Sequence, residues 1–308
     1  MFNPKMNSIA KTLSAKVDGV LTQLKEFKAY DLAGLAINGL TPKKGYQLKS
    51  NVAYGLKSRH RMDLYVTDAR PAKALILFVH GGAWSHGDKN AYTFVGEAFA
   101  RYGYDVAILN YHLAPEHIFP SYIDDLAVAL QHLEQHQQKY GLSTENIVLM
   151  GHSAGAFNIA SLIYHPQNYP LKLRENIKAI VGIAGPYHFD YKGDALAQHA
   201  FNEEIPYQDV MPYYFVEKNA IQHYLLIAEN DQIVHDQNTL DLQKQLLAVG
   251  NHCEVMQIPR TGHISIIGSV SSLFSPFFKT RKLIVKALDQ TLNQNPNQTL
   301  NQTSNRSL

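Results

Sequence analysis

A hydroxyl becomes a usable nucleophile at neutral pH only when an imidazole can take its proton and an acid can hold that imidazole in the right tautomer. Ser153 is placed for such work. It stands in GHSAG, residues 151–155, where the apolar run Ile147 to Met150 stops and a small-residue helix is expected from Ala154. Gly151 and Gly155 lack side chains that could clash, so strand and helix can approach closely around a sharp bend. Gly-x-Ser-x-Gly between strand and helix has the form of a nucleophile elbow. The bare pattern arises by chance in about one chain in ten of this length, so its partners must be found elsewhere.

Those partners are expected in the order serine, acid, histidine. Asp231 follows the apolar run of LLIAEND, and His263 follows Gly262 in a turn behind the next run. Each stands where a side chain is thrown onto the carboxyl edge of a sheet. Glu229, His235 and Asp236 lie slightly before or after the expected bend and rank below them. Acyl transfer also needs fixed donors for a developing oxyanion, best supplied by backbone N–H groups. HGGAW, from His80 to Trp84, follows the strand-like ALILFV and exposes its amides through two consecutive glycines. Gly82 and Ala83, with Ala154 behind the serine, are the expected donors; Trp84 is read as an anchor of that turn. His86 and Asp88 are read as a polar loop, and His132 and His136, four apart on one helix, as a solvated face without a third metal ligand.

The elements that must position these groups follow from hydrophobic patterning. Runs starting at Ala74, Val106, Asn146, Ala179, His223 and Cys253 are apolar without alternation, as expected for strands covered on both faces. Two extended segments from Tyr46 and His60, joined by a turn, precede them. A helix is expected from Ser121, with capping-box spacing to Asp124, to a stop at Gly141. Strand and helix in alternation predict an α/β architecture with a mostly parallel central sheet and helices on both faces. Ligands in such sheets bind beyond the carboxyl ends of the strands, which would gather the candidate residues on one edge. Residues 185–222 interrupt the pattern with eight tyrosines and phenylalanines, an expected inserted cap.

Composition narrows the rest. Of 308 residues, 45% are hydrophobic and 18% charged, enough for a large core, and the formal charge of +2 without a Lys/Arg block argues against nucleic acid. Cys253 is the only cysteine, so an internal disulfide and a cysteine-rich zinc site are excluded and a reducing, cytoplasmic setting is expected. Residues 1–45 are read as an amphipathic helical segment, with Ile9, Leu13, Val17, Val20, Leu24 and Phe27 at helical spacing. It lacks the uninterrupted apolar stretch of a signal peptide or membrane span, so no stable membrane insertion is expected. Docking over the body, or against a second copy in a homodimer, is the expected role. Residues 46–290 form the main domain and 291–308 a disordered polar tail.

HGGAW, NYHLAPEHIFP from Asn110, GHSAGA, ENDQIV and the Gly-His at 262–263 together resemble the esterase/lipase branch of the α/β-hydrolases, over residues 46 to 285. That branch includes hormone-sensitive-lipase-like carboxylesterases and kynurenine formamidases. The resemblance implies an α/β-hydrolase fold, Ser153 as nucleophile, Asp231 as orienting acid, His263 as base, and an oxyanion hole from Gly82, Ala83 and Ala154. It implies a serine esterase acting on small or medium carboxylic esters, with no metal or organic cofactor; an aryl formamidase and a non-catalytic module on the same scaffold are the alternatives. Lipase-like members usually carry a third glycine where Ala83 stands and an acid where His152 stands, so the formamidases and related small-ester hydrolases are the closer match. His112 occupies a usual arginine position, which would loosen an internal salt bridge.

Overall fold

The computed structural model describes residues 34, 37–166, 169 and 172–293. The amphipathic segment over residues 9–27 and the tail from residue 294 lie outside the described residues. Among the described residues, eight strands form one sheet: β1 (Tyr46–Ala53), β2 (Arg61–Thr67), β3 (Leu75–Val79), β4 (Asp105–Leu109), β5 (Ile147–His152), β6 (Ile177–Ile183), β7 (Gln222–Ala228) and β8 (Cys253–Ile258). Their order is β1-β2-β4-β3-β5-β6-β7-β8, and only the β1–β2 and β2–β4 pairs are antiparallel. Each apolar run of the sequence became one of the parallel strands.

Among the described residues, the strands are connected and flanked by α1 (Thr93–Ala100), α2 (Ser121–Tyr140), α3 (Ala154–Tyr164), α4 (Gln237–Ala248), α5 (His263–Gly268) and α6 (Thr280–Asn293). Strand side chains alternate between faces, so each buried strand feeds two cores. Leu75, Leu77 and Val79 of β3 join Leu126, Leu130 and Leu133 of α2 and Phe157 of α3 in one layer. Ile76 and Phe78 join Val95 and Phe99 of α1 and Ile284 and Leu288 of α6 in the other. Among the described residues, no helix is long and apolar enough to cross a membrane.

Two local expectations need correction. Ser121 does not cap α2: Pro120 holds that position, and the Ser121 hydroxyl donates to the Ile118 carbonyl while the Asp124 carboxylate accepts from Tyr169. The capping-box spacing is present, but the helix already begins at the serine. The helix does stop at Gly141, whose φ of 71° closes its last turn. At the other end of the chain, α6 runs through Asn293 into the segment read as polar tail.

Candidate active site

The bend at Ser153 follows from close packing. β5 ends at His152 and α3 begins at Ala154, leaving Ser153 at φ 54° and ψ −124°. A non-glycine residue there carries strain of about 1–3 kcal/mol and persists only when its surroundings fix it. Its N–H donates to the Ile183 carbonyl at 2.8 Å and its carbonyl accepts from the Ala156 N–H at 2.9 Å. A Cβ on Gly155 would stand 2.1 Å from the Val79 carbonyl oxygen, and one on Gly151 would stand 2.4 Å from that of Gly155. Both positions exclude side chains, and the bend delivers the serine hydroxyl to the carboxyl edge of the sheet.

His263, the first residue of α5, reaches that hydroxyl after β8. Its Nε2 lies 2.8 Å from Ser153 Oγ, and its Nδ1 lies 2.8 Å from Asp231 Oδ2 in the turn after β7. A carboxylate can only accept, so Nδ1 carries the proton and the Nε2 lone pair faces the hydroxyl. The His263 and Asp231 side chains are 3% and 2% exposed. The other Asp231 oxygen accepts the N–H groups of Ile233 and Val234, each at 2.9 Å. Burial raises the Asp231 carboxyl, but the His263 hydrogen bond and charge, with these two amides, outweigh it and hold its pKa below the ordinary value. The acid stays ionised where it faces the imidazole.

HGGAW turns through an unusual backbone path, with φ of 128° at Gly82, 49° at Ala83 and 58° at Trp84. A Cβ on Gly82 would meet the His86 carbonyl oxygen at 2.2 Å, so this position also needs glycine. Among the described residues, no hydrogen bond uses the N–H of Gly82, Ala83 or Ala154. Ala83 and Ala154 border a cavity of about 110 Å³ together with Ser153. Trp84 anchors this turn: it is buried, its Nε1–H donates to Asn158 Oδ1 at 2.9 Å, and Phe157 and Phe201 meet it edge-on.

Residues 62–246, more than half of the chain, match the sequence profile of BD-FAE. The chain belongs to the BD-FAE family. Probable isoprenylcysteine alpha-carbonyl methylesterase ICMEL1 of Oryza sativa subsp. japonica is 30% identical over 46% of this chain and 35% of its own length. Esterase LipC of Mycobacterium tuberculosis is 24% identical over 71% and 60%, and kynurenine formamidase of Drosophila melanogaster is 26% identical over 48% of each. The chain thus spans from 35% to 60% of the length of these curated relatives. Among solved structures, esterase B of Lactobacillus rhamnosis aligns with a TM-score of 0.73 at 17% identity, over 91% of this chain and 97% of that one. With the sheet order above, this likeness makes the BD-FAE domain an α/β-hydrolase fold.

Several other polar residues around the BD-FAE site have structural partners. Glu229 accepts the Arg260 N–H, Asp236 stands at the N-cap of α4, and His235 lines the small cavity. Asp88 caps the short turn after HGGAW and accepts from Asn110, while His86 pairs with Ser85. The His132 ring bonds the Tyr140 hydroxyl, and His136 bonds the His132 carbonyl.

Two groups carry more than the sequence assigned to them. His152 Nε2–H donates to the His263 carbonyl at 2.8 Å, tying the elbow to the histidine turn. Burial, aided by the neighbouring His263, pushes the His152 pKa down to about 3, so its ring is neutral. The second group is His60, His112 and Asp125, whose ligand atoms lie within 4.8 Å of one another and are the one such metal-compatible set among the described residues. Both carboxylate oxygens are already engaged: His60 Nε2 and His112 Nδ1 donate to the two Asp125 oxygens at 2.7 Å each, the His112 N–H adds a third bond, and Lys57 Nζ lies 3.7 Å away, while His60 Nδ1 is buried without a hydrogen-bond partner among the described residues. This buried tie joins the start of β2, the segment after β4 and α2. The tie expected to loosen at His112 is instead rebuilt from two imidazoles.

Proposed function

We propose that this chain hydrolyses carboxylic esters of small or medium size through an acyl-enzyme on Ser153. One observation carries the reading: hydroxyl, imidazole and carboxylate form a continuous 2.8 Å chain beside the uncommitted backbone N–H groups of Gly82, Ala83 and Ala154. His263 Nε2 takes the hydroxyl proton as Ser153 Oγ adds to the ester carbonyl carbon. The carbonyl oxygen becomes an oxyanion held by the N–H groups of Ala83 and Ala154, with Gly82 beside them. The carbon–oxygen bond to the alcohol then breaks, and the alcohol leaves with the proton from His263. Water repeats the sequence on the acyl-enzyme and releases the acid. These steps call for no metal or organic cofactor. The names of LipC and of the methylesterase relative support ester cleavage.

The likeness to kynurenine formamidase, with HGGAW and GHSAG, supports a second reading in which the same site cleaves an aryl formamide. Turnover of N-formylkynurenine exceeding that of 4-nitrophenyl acetate would favour it. A third reading, a binding module without turnover, is answered by the same variant as the first. Ser153→Ala is expected to cut 4-nitrophenyl butyrate hydrolysis by roughly 10⁴ to 10⁶, with circular dichroism unchanged. Unaltered turnover in that variant would remove Ser153 from the chemistry. The lone, partly buried Cys253 thiol fits a reducing compartment, and we place the reaction in the cytoplasm; activity recovered in an envelope fraction would contradict that.

A further inference from the structure

Two cavities of unequal size adjoin the serine–histidine pair, one bordered by Ser153 and the other by His263. The smaller, about 110 Å³, is bordered by Ser153, Ala83 and Ala154 and closed by Trp84, Phe189 and Leu196. The larger, about 610 Å³, is bordered by His263 and walled by Phe94, Phe274, Phe278, Ile37 and Ile264. Ile233 belongs to both walls.

The chemistry proposed above decides which half of an ester each cavity takes, and the inference rests on that reading. The acyl carbon bonds to Ser153 Oγ while its oxygen points at the Ala83 and Ala154 amides, so the acyl chain extends into the smaller cavity. The leaving oxygen must face His263 Nε2 to collect its proton, so the alcohol extends into the larger one. A cavity of about 150 Å³ takes benzene, so 110 Å³ limits the acyl group to about four carbons. The larger volume lies within the roughly 300–1,000 Å³ of sites that enclose drug-sized ligands, and its walls are mainly aromatic and aliphatic. We infer that the preferred substrate joins a short acyl group to a bulky apolar alcohol. Asn230, Gln232 and Ser265 line the same cavity and give the alcohol half its few polar contacts.

The test uses two ester series on the full chain. Butyrates of ethanol, benzyl alcohol and 2-naphthylmethanol vary alcohol size among primary alcohols of similar acidity; acetate, butyrate and octanoate of benzyl alcohol vary the acyl half. We expect kcat/KM to rise at least tenfold along the first series and to fall at least tenfold from butyrate to octanoate. Two variants assign each preference to its cavity. A Cβ at Gly268 meets only Ile37 Cδ1, at 3.7 Å, so Gly268→Phe fills the large cavity without a backbone clash. It should lower the naphthylmethyl-to-ethyl ratio at least tenfold, both esters being measured on the same folded variant. Leu196→Ala enlarges the small cavity and should raise the octanoate-to-butyrate ratio at least fivefold. Flat series, the reverse preference for methyl octanoate, or ratios unmoved by both variants would overturn the inference while ester hydrolysis stands. No hydrolysis of any ester, with no fluorophosphonate adduct on Ser153, would instead overturn the proposed function.

Discussion

A methyl group added at Gly155 tests how the elbow is built. It would lie 2.1 Å from the Val79 carbonyl oxygen and 2.6 Å from that of His80. Carbon–oxygen contacts begin at about 3.3 Å, so α3 and β3 must part by roughly 1 Å. Both obstructing atoms are backbone and cannot rotate away, which puts the cost at the upper end of overpacking, about 3 kcal/mol. For a domain of this size that lowers the melting temperature by about 6 °C. Ser153 is the residue immediately before this helix, and a shift of about 1 Å at reacting groups can cost on the order of 100-fold in turnover. Gly155→Ala is therefore expected to lose both stability and rate, read by scanning calorimetry and 4-nitrophenyl butyrate hydrolysis. Gly39→Ala is the control, because a methyl there meets nothing within 4 Å. If the two variants melt together and turn over alike, the elbow does not depend on helix–strand contact.

Three further expectations follow from the same geometry. Asp231→Asn keeps the shape but offers an amide that can hold the wrong His263 tautomer; kcat should fall by about 10⁴ with KM little changed, and a loss under tenfold would deny Asp231 its orienting role. Burial, the leading cause in each case, lowers the pKa of His80 to about 4, of His152 to about 3 and of His223 to about 4, all from an ordinary 6.5. The unfolded chain then binds more protons below pH 6.5, so the stability these neutral rings contribute is complete above 6.5. It is lost between 6.5 and about 4 for His80 and His223, and down to about 3 for His152, by up to about 1.4 kcal/mol per pH unit for each ring. Urea midpoints that stay level from pH 6.5 to 4.5 would contradict this. Asp125→Ala removes the acceptor shared by two buried imidazoles and should destabilise by about 3–5 kcal/mol, and a urea midpoint matching the parent chain would show that the tie contributes nothing.

What could be read from the chain depended on how local its cause was. The apolar runs mark the parallel strands because covering both faces leaves no polar alternation, and Gly141 marks the end of α2 because a left-handed residue closes that turn. Ser153, Asp231 and His263 were legible because each stands beside its own strand end, and the sheet carries three distant positions to one edge. The His152 bond spans 111 residues and the His60–Asp125 bond spans 65, and neither spacing leaves a periodic trace. Ser121 misled for the opposite reason: its local pattern is correct for a cap, but Pro120 takes the cap position and the serine is already the first helical residue.

The most direct measurement is intact-mass and peptide mapping of the folded protein after treatment with a fluorophosphonate. A nucleophile activated by His263 should give a single adduct, on Ser153, with labelling at least 100-fold slower in His263→Ala. An adduct on another residue, none at all, or equal labelling in both proteins would mean that Ser153 is not activated by His263.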